Sequence, residues 1–136
     1  MRVFLLLMLT LACLGCGSNR RDDEIRDLAA LQGNWSSIDS YGSTDEIEIK
    51  GDKLFVKRAV VQMSQITLDV STTPKRFELN CHGSMKEGKI EPARGIYEIH
   101  DGLLKVCFDV LKPSQYPTKY DPENTWIFTR QKNAGK

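Results

Sequence analysis

Hydrophobic residues follow three different spacings along this chain. Residues 3–14 form a continuous apolar run, interrupted only by Thr10 and Cys13. Further on, Ile25, Leu28 and Leu31 recur at three-residue intervals, a narrow stripe that predicts one helix of about three turns. Asp22 or Asp23 is placed to cap it, because a carboxylate accepts from the free N–H groups of a first turn and suits the positive end of the helix dipole. Gly33 supplies the stop.

From Trp35 onward the spacing is two, the signature of half-buried strands. Eight strands are predicted, over residues 34–40, 45–50, 53–58, 65–70, 75–81, 95–100, 103–110 and 126–131. Gly51-Asp52 and the 71–74 stretch are read as turns. Asp101-Gly102 is a strong hairpin signal, since a type I′ turn needs positive φ at both central residues. A two-residue turn there sets Glu98 opposite Lys105, Tyr97 opposite Val106 and Ile99 opposite Leu104. That register leaves one charge pair outside and two apolar pairs inside. Two connections are long, 83–94 and 111–125, and the second carries Pro113, Tyr116, Pro117, Tyr120 and Pro122.

Eight short antiparallel strands leave two unpaired edges unless the sheet closes, and closure at eight gives an interior just wide enough for side chains or one small ligand. The expected fold is therefore all-β, an eight-stranded antiparallel up-and-down barrel with one short N-terminal helix. The inward set is Ile47, Ile49, Leu54, Val56, Ile66, Leu68, Val70, Phe77, Leu79, Tyr97, Ile99, Leu104, Val106, Phe108, Trp126 and Phe128.

The first apolar run is too short to span a bilayer core as a helix, which takes ~20 residues. Behind the positive Arg2 it reads as an export signal. The stretch Leu14-Gly15-Cys16-Gly17-Ser18 resembles the bacterial lipobox, in which a small residue precedes the cysteine that becomes the acylated N-terminus. Cys13 stands where that pattern usually has Leu; Cys16 is the expected lipidation site and Cys13 the weaker candidate. A cleaved signal with two incidental cysteines is the competing reading. Both cysteines lie in the targeting segment, so their C-x-x-C spacing is not read as a redox motif.

The 136 residues carry 19 Lys and Arg against 18 Asp and Glu. Arg2 is the only charge in the first sixteen, so the chain beyond them is neutral. A neutral chain with no concentrated basic face argues against nucleic acid as a partner. The sequence has two histidines, His82 and His100, and neither a Gly-x-Ser-x-Gly elbow nor a phosphate-binding glycine loop. His100 flanks the Asp101-Gly102 turn. Glu46, Glu48, Asp69 and Glu78 fall on outward strand positions. Cys81 falls inward with Phe77 and Leu79, whereas Cys107 falls outward opposite Ile96. Their strands are about two 4.8 Å spacings apart, too far for a disulfide. No catalytic residue, metal ligand or cofactor is assigned.

Leu31-Gln32-Gly33-Asn34-Trp35 resembles the Leu-Gln-Gly-x-Trp opening of an uncharacterised planctomycete lipocalin-like domain family. Gly51-Asp52-Lys53, Leu68-Asp69 followed by Pro74-Lys75, Gly95-Ile96-Tyr97-Glu98 and Leu104-Lys105-Val106-Cys107-Phe108 agree in order, and the likeness covers about residues 28–132. The chain departs from the family in two places: Tyr116-Pro117-Thr118-Lys119-Tyr120 stands where Arg-Pro-x-x-Phe is usual, and 57–65 is divergent. Gly33-x-Trp35 is also similar to the wider lipocalin signature. That likeness implies that Trp35 closes the barrel base with Arg130 lying across its indole, making Gly33, Trp35 and Arg130 structural.

The expected organisation is a lipoprotein signal peptide over 1–15, a lipidated tether over 16–21, a lipocalin-like barrel over 22–132 and a tail over 133–136. The expected place is the cell envelope, lipid-anchored and facing the periplasm or the exterior. The expected role is non-catalytic binding of a small apolar ligand, with Tyr116, Tyr120, Tyr97 and Phe108 as mouth or lid. The alternative is an envelope protein-interaction scaffold with a filled barrel and no ligand.

Overall fold

A computed structural model describes residues 19–38, 42–57, 62–81, 91–109 and 111–132, with the side chains of Gln62 and Cys81 outside that description. The signal peptide, Cys13, Cys16, His82 and the 133–136 tail lie outside the described residues, as does the inward placement of the Cys81 side chain.

Helix α1 (Arg20–Leu31) precedes strands β1 (Gly33–Ile38), β2 (Thr44–Lys50), β3 (Lys53–Val56), β4 (Gln62–Asp69), β5 (Lys75–Cys81), β6 (Ala93–His100), β7 (Leu103–Phe108) and β8 (Thr125–Arg130). Each strand pairs antiparallel with the next, and β8 returns to β1 through Trp35↔Arg130 and Ser36↔Thr129. The result is a closed, eight-stranded, up-and-down lipocalin-like barrel with one helix. Every pairing that closes it lies between residues 33 and 130, so no residue before Gly33 takes part in the sheet.

The β6–β7 hairpin follows its sequence signal. Asp101 (φ 49°) and Gly102 (φ 76°) both have positive φ, as a type I′ turn demands. Glu98 faces Lys105, Tyr97 faces Val106 and Ile99 faces Leu104. Strands β4 and β6 begin three and two residues earlier than alternation alone predicts.

Helix α1 differs from its prediction in two respects. Asn19 is the N-cap, and its backbone carbonyl accepts from the N–H groups of Asp22 (2.7 Å) and Asp23 (3.2 Å). Asp22 and Asp23 thus sit inside the first turn, where they suit the dipole without capping it. The predicted stripe is buried only toward its C-terminal end: Leu31 is buried and Leu28 half-buried, whereas Ile25 is 59 % exposed and Asp27, four residues before Leu31, is buried in its stead. The helix end of the barrel offers polar partners, so a carboxylate is buried there in place of an isoleucine.

Helix α1 ends where Gln32 takes an extended conformation. The Gln32 amide then clasps the β2–β3 turn: its Nε2 donates to the Gly51 carbonyl (2.9 Å) and its Oε1 accepts from the Gly51 N–H (2.7 Å). Arg20 reaches Asp69 at the end of β4 (3.1 Å), so both ends of the helix are fastened to the same end of the barrel. Asp69 also accepts from the Ser71 hydroxyl and N–H, and these bonds lower its pKa below the ordinary carboxylate value.

The Pro/Tyr connection does not reach over the barrel mouth; it lies along the outer wall of β5, β6 and β7. The Arg94 N–H donates to the Pro113 carbonyl (2.7 Å), and the Arg94 guanidinium donates to Ser114 O (3.0 Å) and Glu78 (3.0 Å). Ile96 and Cys107, opposed on the outward face, are 0 % and 1 % exposed, with the Cys107 thiol 3.7 Å from the Lys119 carbonyl. Cys107 is a free thiol on the outer face.

Candidate binding cavity

Alternation places the side chains of all eight strands around one axis, but they do not fill it. A cavity of about 240 Å³ remains inside the barrel. Fourteen of the sixteen residues predicted to face inward line it. The two exceptions have local causes. Val70 falls in the turn after β4, and Ile99 packs against the core near the end of β6 without reaching the void. Leu31 and Asp45 are the additional lining residues.

The helix end of the barrel is sealed. Trp35 is fully buried, and its indole Nε1 donates to the Leu31 carbonyl (2.8 Å). The Arg130 guanidinium lies 4.5 Å from the centre of the Trp35 ring, a cation–π arrangement. It also donates to the carbonyls of Gln32 (2.9 Å) and Ala30, which closes the last strand onto the end of α1. Gly33 has φ 118°, a conformation open mainly to glycine. A β-carbon there would also lie 3.8 Å from the Arg130 guanidinium, an ordinary contact, so conformation rather than space dictates the glycine.

Tyr97 lines the cavity at this sealed end, and its hydroxyl donates to Asp27 Oδ2 (2.8 Å). Lys75 Nζ donates to the same oxygen (2.6 Å). Burial first, then the bond to the Asp27 carboxylate, push the Tyr97 phenol far above its usual pKa. Sequence reasoning missed Asp27, because a lone aspartate among helical charges carries no signal of burial.

Toward the opposite end the lining includes Asp45 from β2, Val56 from β3, Leu79 from β5, Phe108 from β7 and Trp126 from β8. The Phe108 and Trp126 rings are stacked, with centroids 4.5 Å apart and planes 15° apart. Ser37 is buried on β1, in phase with Trp35 and paired in register with Asp45. Ser64 is buried on β4, in phase with Ile66. Asp45 was legible: it alternates with Ile47 and Ile49, and only its charge hid it.

Of the four residues expected at the mouth, Tyr97 and Phe108 line the cavity, Tyr97 at its sealed end. Tyr116 and Tyr120 do not line it. Arg76 and Arg94 lie 4.7 and 5.6 Å from the centre of the Tyr116 ring, whose hydroxyl points to Glu78 (3.4 Å). Lys105 Nζ lies 4.1 Å from the centre of the Tyr120 ring. Those cations project outward from the strands and draw the tyrosines onto the wall. The Tyr120 hydroxyl is buried without a hydrogen-bond partner among the described residues, and burial pushes its pKa up to about 12.

Fold and cavity together define a small lipocalin-like barrel with an apolar interior and a few polar groups at its ends. No protein-family model, curated protein or solved structure matches the chain.

Proposed function

We propose that this protein is a lipid-anchored lipoprotein of the cell envelope whose barrel binds a small, largely apolar ligand without catalysis, and that it belongs with the planctomycete lipocalin-like domains it resembles. The observation that carries the binding reading is the cavity of about 240 Å³, fourteen of whose sixteen lining side chains are apolar. Burial in such a space takes apolar surface out of water, a gain of roughly 25 cal/mol per Å² before the costs of association. The scaffold alternative needs a filled interior and tyrosines free to meet a partner. An interior void and the wall contacts of Tyr116 and Tyr120 favour the binding module.

Native mass spectrometry of the chain from Gly17 onward, with 1-octanol as probe, tests this reading. A one-to-one adduct is expected; its absence at saturating octanol counts for the scaffold. The anchor rests on Cys16 within its lipobox-like stretch. Cys16→Ser is expected to release the protein from the membrane fraction, and continued retention would show that Cys16 is not the acylated residue.

A further inference from the structure

We propose that helix α1 is the face this protein lays on the bilayer, so that the sealed end of the barrel sits on the lipid headgroups and the cavity opens away from the membrane. This placement rests on the lipid-anchor reading and adds the side of the barrel that meets the lipid.

Reach comes first. Residues 17–19 alone separate Cys16 from Arg20, the first residue of α1. The four Cα–Cα steps between them span at most about 14 Å. Arg20 is itself held to Asp69 (3.1 Å), at the sealed end of β4. That strand runs eight residues from Gln62 to Asp69, and at the tilt of barrel strands it rises about 16 Å or more. A bilayer holding an acyl group on Cys16 is thus within reach of the sealed end and out of reach of the mouth.

Direction comes second. Helix α1 lies across the sealed end, with Arg20 fastened to β4, Asp27 to Lys75 and Tyr97, and Gln32 to the β2–β3 turn. Its buried residues, Asp27 and Leu31, face the barrel. The opposite face turns away from the barrel, and at 3.6 residues per turn Asp22, Ile25 and Ala29 lie nearest its centre. All three are exposed.

Chemistry comes third. Arg21 stands one turn before Ile25 and Arg26 beside it, both exposed. An isoleucine flanked by arginines suits the headgroup boundary: the apolar group enters the acyl edge, and the arginine stems follow while their heads stay with the phosphates. Asp22 offsets part of that charge, so zwitterionic lipid suffices. Ile38, 73 % exposed, ends β1 at the opposite end of the barrel. Exposure alone therefore does not choose the lipid face; the short tether does.

The test reconstitutes the membrane-extracted protein in phosphatidylcholine vesicles whose acyl chains are either ordinary or brominated. It reads the tryptophan emission that each of two substitutions adds to the wild-type signal. The ring added by Ile25→Trp is expected to emit further to the blue and to lose roughly half its intensity to bromine, as a side chain at the headgroup–acyl boundary would. The ring added by Ile38→Trp is expected to lose none. Equal loss at both, loss from Ile38→Trp alone, or loss from neither while the protein stays on the vesicles, overturns the placement alone. Absence of an acyl group on Cys16, or failure of the protein to stay with the vesicles, overturns the anchor reading and the placement with it.

Discussion

The Tyr97 hydroxyl and the Asp27 carboxylate meet 2.8 Å apart, joining helix α1 to the sealed end of the cavity across seventy residues of chain. Lys75 completes the junction from β5 at 2.6 Å. The aspartate side chain is largely buried, so its charge is tolerated because both neighbours donate to it.

Removing the phenol hydroxyl should therefore be felt. Tyr97→Phe leaves the ring in place but deprives a buried carboxylate of one donor, and hydrogen bonds to charged groups contribute about 1.5–3 kcal/mol. Urea denaturation should show a loss of that order with an unchanged m-value. A loss below a few tenths of a kcal/mol would mean that Lys75 alone satisfies Asp27.

Three tyrosines resist ionisation in the folded chain. Burial raises Tyr97, Tyr116 and Tyr120, the last to about 12 from an ordinary value of 10.0. A phenol whose pKa is higher in the folded than in the unfolded chain is held protonated by folding. Its contribution to stability is therefore complete below pH 10 and declines as pH rises from there through about 12 and beyond. Absorbance at 295 nm near pH 11 should report fewer than half of the four tyrosines as tyrosinate in the native protein and nearly all of them in urea. Equal native and denatured titrations would contradict the burial of these rings.

Gly95 has no room for a side chain. A β-carbon there would stand 2.3 Å from the Phe77 ring and 2.6 Å from the Cys107 carbonyl. The ring can move, but the backbone carbonyl in the neighbouring strand cannot do so cheaply. Gly95→Ala is expected to cost about 1–3 kcal/mol, in the range of overpacked cores. Adding Phe77→Leu should recover only part of that loss. Full recovery in the double variant would assign the whole clash to Phe77.

Much of this architecture was legible because a strand half-facing a core must alternate. Ile47, Ile49, Ile66, Leu68, Phe77 and Leu79 announce both their strands and the side that faces inward. The β6–β7 register followed from one turn, Asp101-Gly102, and three matched pairs. The sequence was silent where a side chain's partner is far along the chain. Nothing near Asp27 indicates that Tyr97 and Lys75 await it, so the stripe placed Leu31 correctly but put Ile25 inside where Asp27 belongs. The Pro/Tyr connection has no period, and its position depends on Arg76, Arg94 and Lys105, cations whose outward direction alternation does give. Asp45 is a different kind of miss. Its phase was plain, but a charge in an apolar row reads as an end of the row rather than as part of the lining.

Ligand binding inside the barrel requires the void to stay open, and filling the void tests that requirement. Val106 lines the cavity, and Val106→Phe places a ring in the void. Calorimetric titration with 1-octanol should show one binding site in the wild-type chain from Gly17 onward and none in the Val106→Phe variant, with both proteins folded by circular dichroism. Equal octanol binding by the two, or none by the wild type, would contradict it.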